Sequence, residues 1–371
     1  KGENIMHALK RFGTAFGGYK MMENYPVPEC GPDDIILEIK AAAICGADMK
    51  HWGVDNGYDD TNITPDQQQS VRGHEFAGEI VKVGENVKDW HIGQRVVSDN
   101  SAHVCGVCPA CEQGDFLCCE HKVNLGLDNN TWGGGFSKYC KVPGEILAIH
   151  KHAIWEIPEG IKYEEACVLD PICNAYKAVA QQSHLIPGQD VVVFGTGPLG
   201  LFSVQVAKLM GAVNIVMVGL DDDVKVRFGV AKELGATHCV NGSKEDVVAR
   251  CTEICGRDNL GLVIECSGAN IALKQAIEMT RPNAEIVRVG MGFKPLEFSI
   301  NDITAWNKSI IGHMAYDSTS WRNCIRLLQS GQIKVQPMIT HRLGLSQWQE
   351  GFDKMAKKEA IKVIFHYDYE D

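Results

Sequence analysis

Residues 190–200 read Asp190-Val-Val-Val-Phe194-Gly195-Thr196-Gly197-Pro198-Leu199-Gly200, and this stretch decides the fold. Four apolar residues give a strand signal, the glycines follow at once as G-x-G-x-x-G, and an apolar run at helical spacing continues to about residue 210. Gly195 permits the tight turn, Gly197 lets the backbone approach a pyrophosphate, and Gly200 allows helix and strand to pack closely. Thr196, Pro198 and Leu199 complete the turn and open a helix whose N-terminal N–H groups and dipole attract phosphate. The strand, turn and helix together separate this match from a chance glycine triplet and predict a dinucleotide site.

Downstream, strand signals at 215–218, 238–240, 262–264 and 286–289 alternate with helical patterns at 225–234, 245–254 and 271–280. That alternation predicts a parallel sheet with helices on both faces. Upstream, short alternating segments at 35–39, 76–83, 95–98 and 137–142 are broken by Gly and Pro, which indicates a β-rich, barrel-like domain. Residues 53–71 are polar without periodicity and read as a long surface loop. After residue 311 a helix at 321–329 precedes an apolar strand at 361–365 that returns to the first domain.

A chain of 371 residues suggests two domains, and 45% hydrophobic with 22% charged residues is a globular composition. A net charge of −11 argues against a nucleic-acid partner, and no apolar run is long enough to span a membrane. Fifteen cysteines, mostly single within apolar patterns, fit reduced thiols in a cytoplasmic protein better than a disulfide framework.

Four cysteines are the exception. Cys105, Cys108 and Cys111 fall at C-x2-C-x2-C spacing, which lets one compact loop converge on a single ion. With a fourth thiolate from Cys118 or Cys119 this is the donor set of a structural, tetrahedral zinc. Other metal-ligating types are dispersed: Cys45 in Ile-Cys-Gly-Ala-Asp48, His74 and Glu75 in Gly73-His-Glu-Phe-Ala-Gly78, and Asp170 before Pro171. Singly these read as a buried thiol, a core histidine and a turn starter.

Gly-His-Glu-x-x-Gly at 73–78, the upstream Cys45-Gly46, the four-cysteine lobe and Gly195-Thr-Gly-Pro-Leu-Gly200 together resemble the zinc-containing medium-chain dehydrogenase/reductase family, the alcohol and polyol dehydrogenases. The segment Asp170-Pro-Ile-Cys-Asn-Ala-Tyr176 resembles the sorbitol and threonine dehydrogenase branches. The resemblance implies an α/β protein: a GroES-like β-rich catalytic domain at 1–173 and 312–371, and a Rossmann nucleotide-binding domain at 174–311. It implies two Zn2+ ions per chain. Cys45, His74 and Asp170 would hold the catalytic one, with Glu75 beside it and able to ligate at some stage. Asp48 would orient His74. The lobe zinc would take Cys105, Cys108, Cys111 and Cys119, which decides against Cys118. Homodimers or homotetramers are common in the family.

A zinc with an open position polarises an alcohol oxygen and lowers its pKa, and a nicotinamide then accepts the hydride. The expected activity is reversible transfer of a hydride between NAD and a secondary alcohol: a polyol, a sugar alcohol or a related hydroxylated metabolite. L-Threonine 3-dehydrogenase and sugar-phosphate dehydrogenase are the rival activities, with Lys50 and Arg72 as anion contacts or, more simply, solvated surface charge. A non-catalytic dinucleotide-binding protein is the reading of another class, and zinc content separates it. For the cofactor, Gly219-Leu220-Asp221-Asp222-Asp223 follows the second strand; its carboxylates favour NAD over NADP, and Asp221 is the first choice for the adenosine ribose. Helix capping is the alternative role for the three aspartates. Two departures from the family stand out. Ala47 replaces the Ser or Thr that opens the usual proton relay, so His51 or water would substitute, and the 53–71 loop is longer than its counterpart.

Overall fold

A computed structural model describes residues 4–12, 18–49, 52, 69–128, 131–292 and 294–370. Its contacts divide the chain into one unit of Lys1–Asp170 with Ile339–Asp371 and another of Pro171–Met338.

The first unit is built on a seven-stranded sheet. Its order is Ile339–Gly344, Lys362–His366, Ile35–Ala43, Glu75–Val83, Arg95–Ser98 and Ile154–Glu156, with Tyr139–Val142 also pairing with Ile35–Ala43. Pairing is antiparallel except between Ile339–Gly344 and Lys362–His366. The strand Tyr139–Val142 shows the one-face alternation that such a sheet requires, with Cys140 and Val142 buried. Leu37, Ile39, Phe76, Ile80, Val96, Phe136, Phe352 and Phe365 form the core. Each such side chain contributes about 1.5–3 kcal/mol when removed from water. The lobe hangs from a small hairpin, Ser101–His103 with Val123–Asn124.

The second unit is a six-stranded, fully parallel sheet in the order His238–Asn241, Ile215–Gly219, Asp190–Phe194, Leu260–Glu265, Glu285–Arg288 and Ser309–Gly312. Numbered along the chain this is 3-2-1-4-5-6, the Rossmann arrangement. Asp190–Phe194 and Ile215–Gly219 are buried at every position, as strands covered on both faces must be. Helices such as Pro198–Leu209 and Asn270–Met279 supply that cover.

Residues 171–173 and 312–338, expected with the β-rich domain, group instead with the nucleotide-binding unit. Polar contacts tie the later segment there: Ser320 Oγ donates to Gln181 Oε1, Asn323 Nδ2 to Tyr176 OH, and Gln205 Nε2 to the carbonyl of Lys334. The chain therefore rejoins the first unit at Ile339, in a strand that the 361–365 reading did not anticipate. No helix among the described residues is long and apolar enough to cross a membrane.

Candidate functional site

Cys45 ends the run that begins as the strand Ile35–Ala43, and the short helix Gly46–Met49 follows it. Asp48, wholly buried, closes that helix onto its own start by accepting the Cys45 N–H at Oδ2, 3.0 Å away. His74 and Glu75 enter on the neighbouring strand, Glu75–Val83, paired so that Glu75 faces Ala43. Gly73 makes that entry: its φ is +89°, and a Cβ there would stand 2.6 Å from the Phe136 ring. The ligand atoms of Cys45, His74 and Glu75 consequently lie within 4.8 Å of one another.

The chemistry of these atoms fits a divalent cation. His74 Nδ1 and Glu75 Oε1 are buried without a hydrogen-bond partner among the described residues. An orphaned buried carboxylate oxygen is costly, and a metal ion is one group that would satisfy it. Burial pushes the Cys45 thiol up and holds Glu75 well above the usual carboxylate range. Asp48 Oδ1 lies 3.9 Å from His74 Nδ1, beyond hydrogen-bond reach, and 3.3 Å from Arg72 Nη2. Arg72 is thus no solvated surface charge: it is 3% exposed and pairs with Asp48 beneath the site.

Asp170 stands outside the three-residue set. It lies in the first turn of the helix Leu169–Tyr176, where Pro171 costs little, and its Oδ2 accepts from Asn100 Nδ2 at 3.1 Å. Its charge acts on both Cys45 and Glu75, raising each. Lys362, which no sequence signal singled out, is buried against Glu75: Nζ donates to Glu75 Oε2 and, at 3.0 Å, to the Ile44 carbonyl. His51 and Lys50 lie outside the described residues, as does most of the 53–71 loop.

In the lobe, the sulfurs of Cys105, Cys108, Cys111 and Cys119 lie within 4.8 Å of one another, while Cys118 is exposed and outside the group. Cys105 and Cys111 sulfurs are 4.0 Å apart. Zn–S bonds of about 2.3 Å in a tetrahedron put sulfurs about 3.8 Å apart. Backbone N–H groups of Val107 and Cys108 pull Cys105 down to about 6, whereas burial pushes Cys111 up to about 12. Four thiols so close suit a cation that takes all of them as thiolates.

At the end of the strand Asp190–Phe194, Gly195 takes φ +94° and the helix Pro198–Leu209 begins with Gly197 as its cap. A Cβ on Gly200 would sit 1.8 Å from the Gly195 carbonyl, so the glycine spacing is a packing requirement. Asp221 follows the neighbouring strand Ile215–Gly219. It is half exposed and bound to Asn241 Nδ2 at 2.7 Å and Lys244 Nζ at 3.3 Å. The buried carboxylate is Asp223, whose Oδ2 accepts the Leu220 N–H at 2.8 Å. Arg227, overlooked because it comes a helical turn later, lies 3.8 Å from Asp223 and reaches the Thr196 carbonyl at 3.5 Å.

Comparison with known proteins agrees with both units. Residues 31–152 match the alcohol dehydrogenase GroES-like domain, and residues 198–330 match the zinc-binding dehydrogenase model. The chain belongs to the zinc-containing medium-chain dehydrogenase family. An uncharacterised zinc-type alcohol dehydrogenase-like protein of Escherichia coli (strain K12) is 77% identical, over 99% of this chain and 100% of that protein. A sorbitol dehydrogenase of Halalkalibacterium halodurans is 30% identical, covering 97% and 98%. An L-threonine 3-dehydrogenase of Rhizobium rhizogenes is 31% identical, covering 98% and 99%. Among solved structures, 2R,3R-butanediol dehydrogenase from Bacillus subtilis has a TM-score of 0.82 at 29% identity, covering 98% and 100%. A zinc-binding dehydrogenase from Sinorhizobium meliloti 1021 bound to NADP scores 0.81 at 26% identity, covering 98% and 100%. An alcohol dehydrogenase from E. coli CFT073 complexed with NADH scores 0.83 at 26%, with the same coverage.

Proposed function

We propose that this protein is a zinc-dependent, NAD-linked dehydrogenase that reversibly oxidises a secondary hydroxyl of a polyol or related hydroxylated metabolite to a ketone. The observation that carries this reading is the convergence of Cys45, His74 and Glu75 donor atoms in the GroES-like unit of a family member. Cys45, His74 and Asp170 are the proposed protein ligands of one zinc, with Glu75 beside it, and the four lobe cysteines those of the other. Zinc would supply charge stabilisation for a hydroxyl giving up its proton, and NAD would accept the hydride. Oxidation would break the substrate C–H and O–H bonds, the hydride going to NAD and the proton to solvent, and would leave a C=O bond.

The chain's own residues hold and shield this chemistry. Asp48 fixes the helix that follows Cys45, and Arg72 balances its buried charge. Lys362 compensates Glu75, so the site carries one fewer uncompensated negative charge than its carboxylates suggest. Ala47 has no hydroxyl to relay the proton; His51 or water is the proposed substitute. The sorbitol and butanediol dehydrogenase relatives support a polyol or diol substrate, and the threonine dehydrogenase relatives keep an amino alcohol as the rival. Glycine turn residues 195–200 would hold the pyrophosphate, and the acidic 221–223 turn supports NAD over NADP. A homodimer or homotetramer is supported by the sheet-edge strand Ser309–Gly312, flanked by exposed Ile300, Trp306 and Met314. Fifteen cysteines outside any disulfide fit a cytoplasmic location.

A panel of polyols, diols, sugar phosphates, threonine and simple alcohols, followed by NADH absorbance, tests the reading. NADH formation with a polyol or diol is the expected result, whereas preference for threonine would transfer the assignment to the rival activity.

A further inference from the structure

Asn100 stands in the turn between the strands Arg95–Ser98 and Ser101–His103 with φ of +60°, a left-handed conformation that side chains other than Asn, Asp and Gly strongly resist. The turn is fixed from several directions. The Asn100 N–H donates to Ser98 Oγ at 2.9 Å, and its carbonyl accepts the Leu125 N–H at 2.7 Å. Asp99 Oδ1 accepts the Ser101 N–H at 2.9 Å, and Asp99 Oδ2 lies 2.5 Å from His150 Nε2. The His150 ring in turn packs on Phe116 of the cysteine lobe, with centroids 4.2 Å apart.

From this fixed turn, Asn100 Nδ2 donates to Asp170 Oδ2 at 3.1 Å. Both residues are more than nine-tenths buried, at 4% and 8% exposure. Glycine would meet the backbone requirement at lower steric cost, so the amide side chain is the reason for Asn here. The two carboxylates near Cys45 have different hydrogen-bond donors, although the Lys362 charge acts on both. Glu75 is bound by the Lys362 cation, whereas Asp170 is bound by a neutral amide. A neutral donor fixes the orientation of a carboxylate without neutralising it. The Asn100 amide therefore anchors one Asp170 oxygen and helps to set the direction in which the carboxylate points.

We infer that Asn100 is a positioning residue that holds Asp170 in the orientation in which it meets the catalytic zinc. The inference rests on the proposed role of Asp170 as a ligand. The tests use Asn100→Gly, which keeps the left-handed turn and removes the donor, and Asn100→Asp, which tolerates the turn and sets a carboxylate against Asp170. Zinc release from the holoprotein to a chromogenic chelator, and the visible spectrum after cobalt replaces the catalytic zinc, are read together with kcat and KM. Both variants should release the catalytic zinc about 10–100-fold faster, alter the cobalt spectrum and lower kcat, while the lobe zinc stays as in the parent. Parent-like zinc release and cobalt spectrum in Asn100→Gly would overturn the inference. Asp170→Asn is run alongside. If it loses the zinc while Asn100→Gly does not, only the role of Asn100 falls; if it keeps the zinc, the ligand assignment beneath it falls as well.

Discussion

Lys362 Nζ donates to Glu75 Oε2 across 287 residues of sequence, joining two charges whose side chains are 1% and 0% exposed. Burial works to lower the Lys362 pKa, yet Glu75 and Cys45 together hold it above the ordinary lysine value. Such a pair is weak evidence for stability as a pair, but removing one partner strands the other in the core. The GroES-like unit therefore depends on both being present.

Lys362→Met should destabilise that unit by about 3–5 kcal/mol, because Glu75 is left buried and uncompensated. Adding Glu75→Gln should recover most of the loss. Urea unfolding of the two single variants and the double variant measures the coupling, and simple additivity would show that the pair is not an energetic unit.

In the lobe, Cys111→Ser leaves a partly filled shell around a metal whose binding is coupled to local folding. We expect a thermal midpoint lowered by several degrees and a tendency to aggregate. Cys118→Ser should be near neutral, because Cys118 is exposed and outside the thiol group. Equal damage from both substitutions in a thermal scan would mean that the lobe has another fourth ligand.

How much of this was legible in the sequence followed from how local each signal is. The glycine turn and the lobe lie within 11 and 15 consecutive residues, so spacing alone carries their geometry. Lys362 and Asn100 reach the site across the fold, and no spacing rule connects them to Glu75 or Asp170. Arg72 was misread because an arginine beside a polar loop gives no sign that it pairs inward with Asp48. Among the aspartates at 221–223, the sequence gives three equivalent carboxylates; helix geometry buries Asp223 and leaves Asp221 facing Asn241 and Lys244.

Cofactor choice tests that last point. Replacing Asp221 and Asp222 together by Asn should narrow the kcat/KM gap between NAD and NADP only slightly, since Lys244 already offsets Asp221. Asp223→Asn should have the larger effect, because it also removes the carboxylate charge beside Arg227, which reaches the Thr196 carbonyl. Parent preference for NADP, or ratios unchanged in both variants, would remove the acidic turn from cofactor selection.

His313 provides a pH-dependent readout in the nucleotide-binding unit. Burial, followed by the charge of Lys177, lowers it to about 4, with Gln182 Oε1 2.6 Å from Nδ1 and Asn174 Oδ1 3.3 Å from Nε2. A folded pKa below the ordinary value of 6.5 means that the unfolded chain binds the proton more readily. Its contribution is present above pH 6.5 and is lost as pH falls toward 4, by up to about 3 kcal/mol. Denaturant titrations at several pH values should show a steeper acid loss in the parent than in His313→Gln; parallel curves would place the imidazole in a more hydrated setting.

Elemental analysis of the purified holoprotein beside Cys45→Ser decides whether one chain holds two zinc ions of different purpose. Two zinc ions per chain in the parent, and one in a folded Cys45→Ser variant that still binds NADH but has lost turnover, is the predicted result. One zinc per chain in both proteins, or full turnover in Cys45→Ser, would rule out a second zinc held by Cys45.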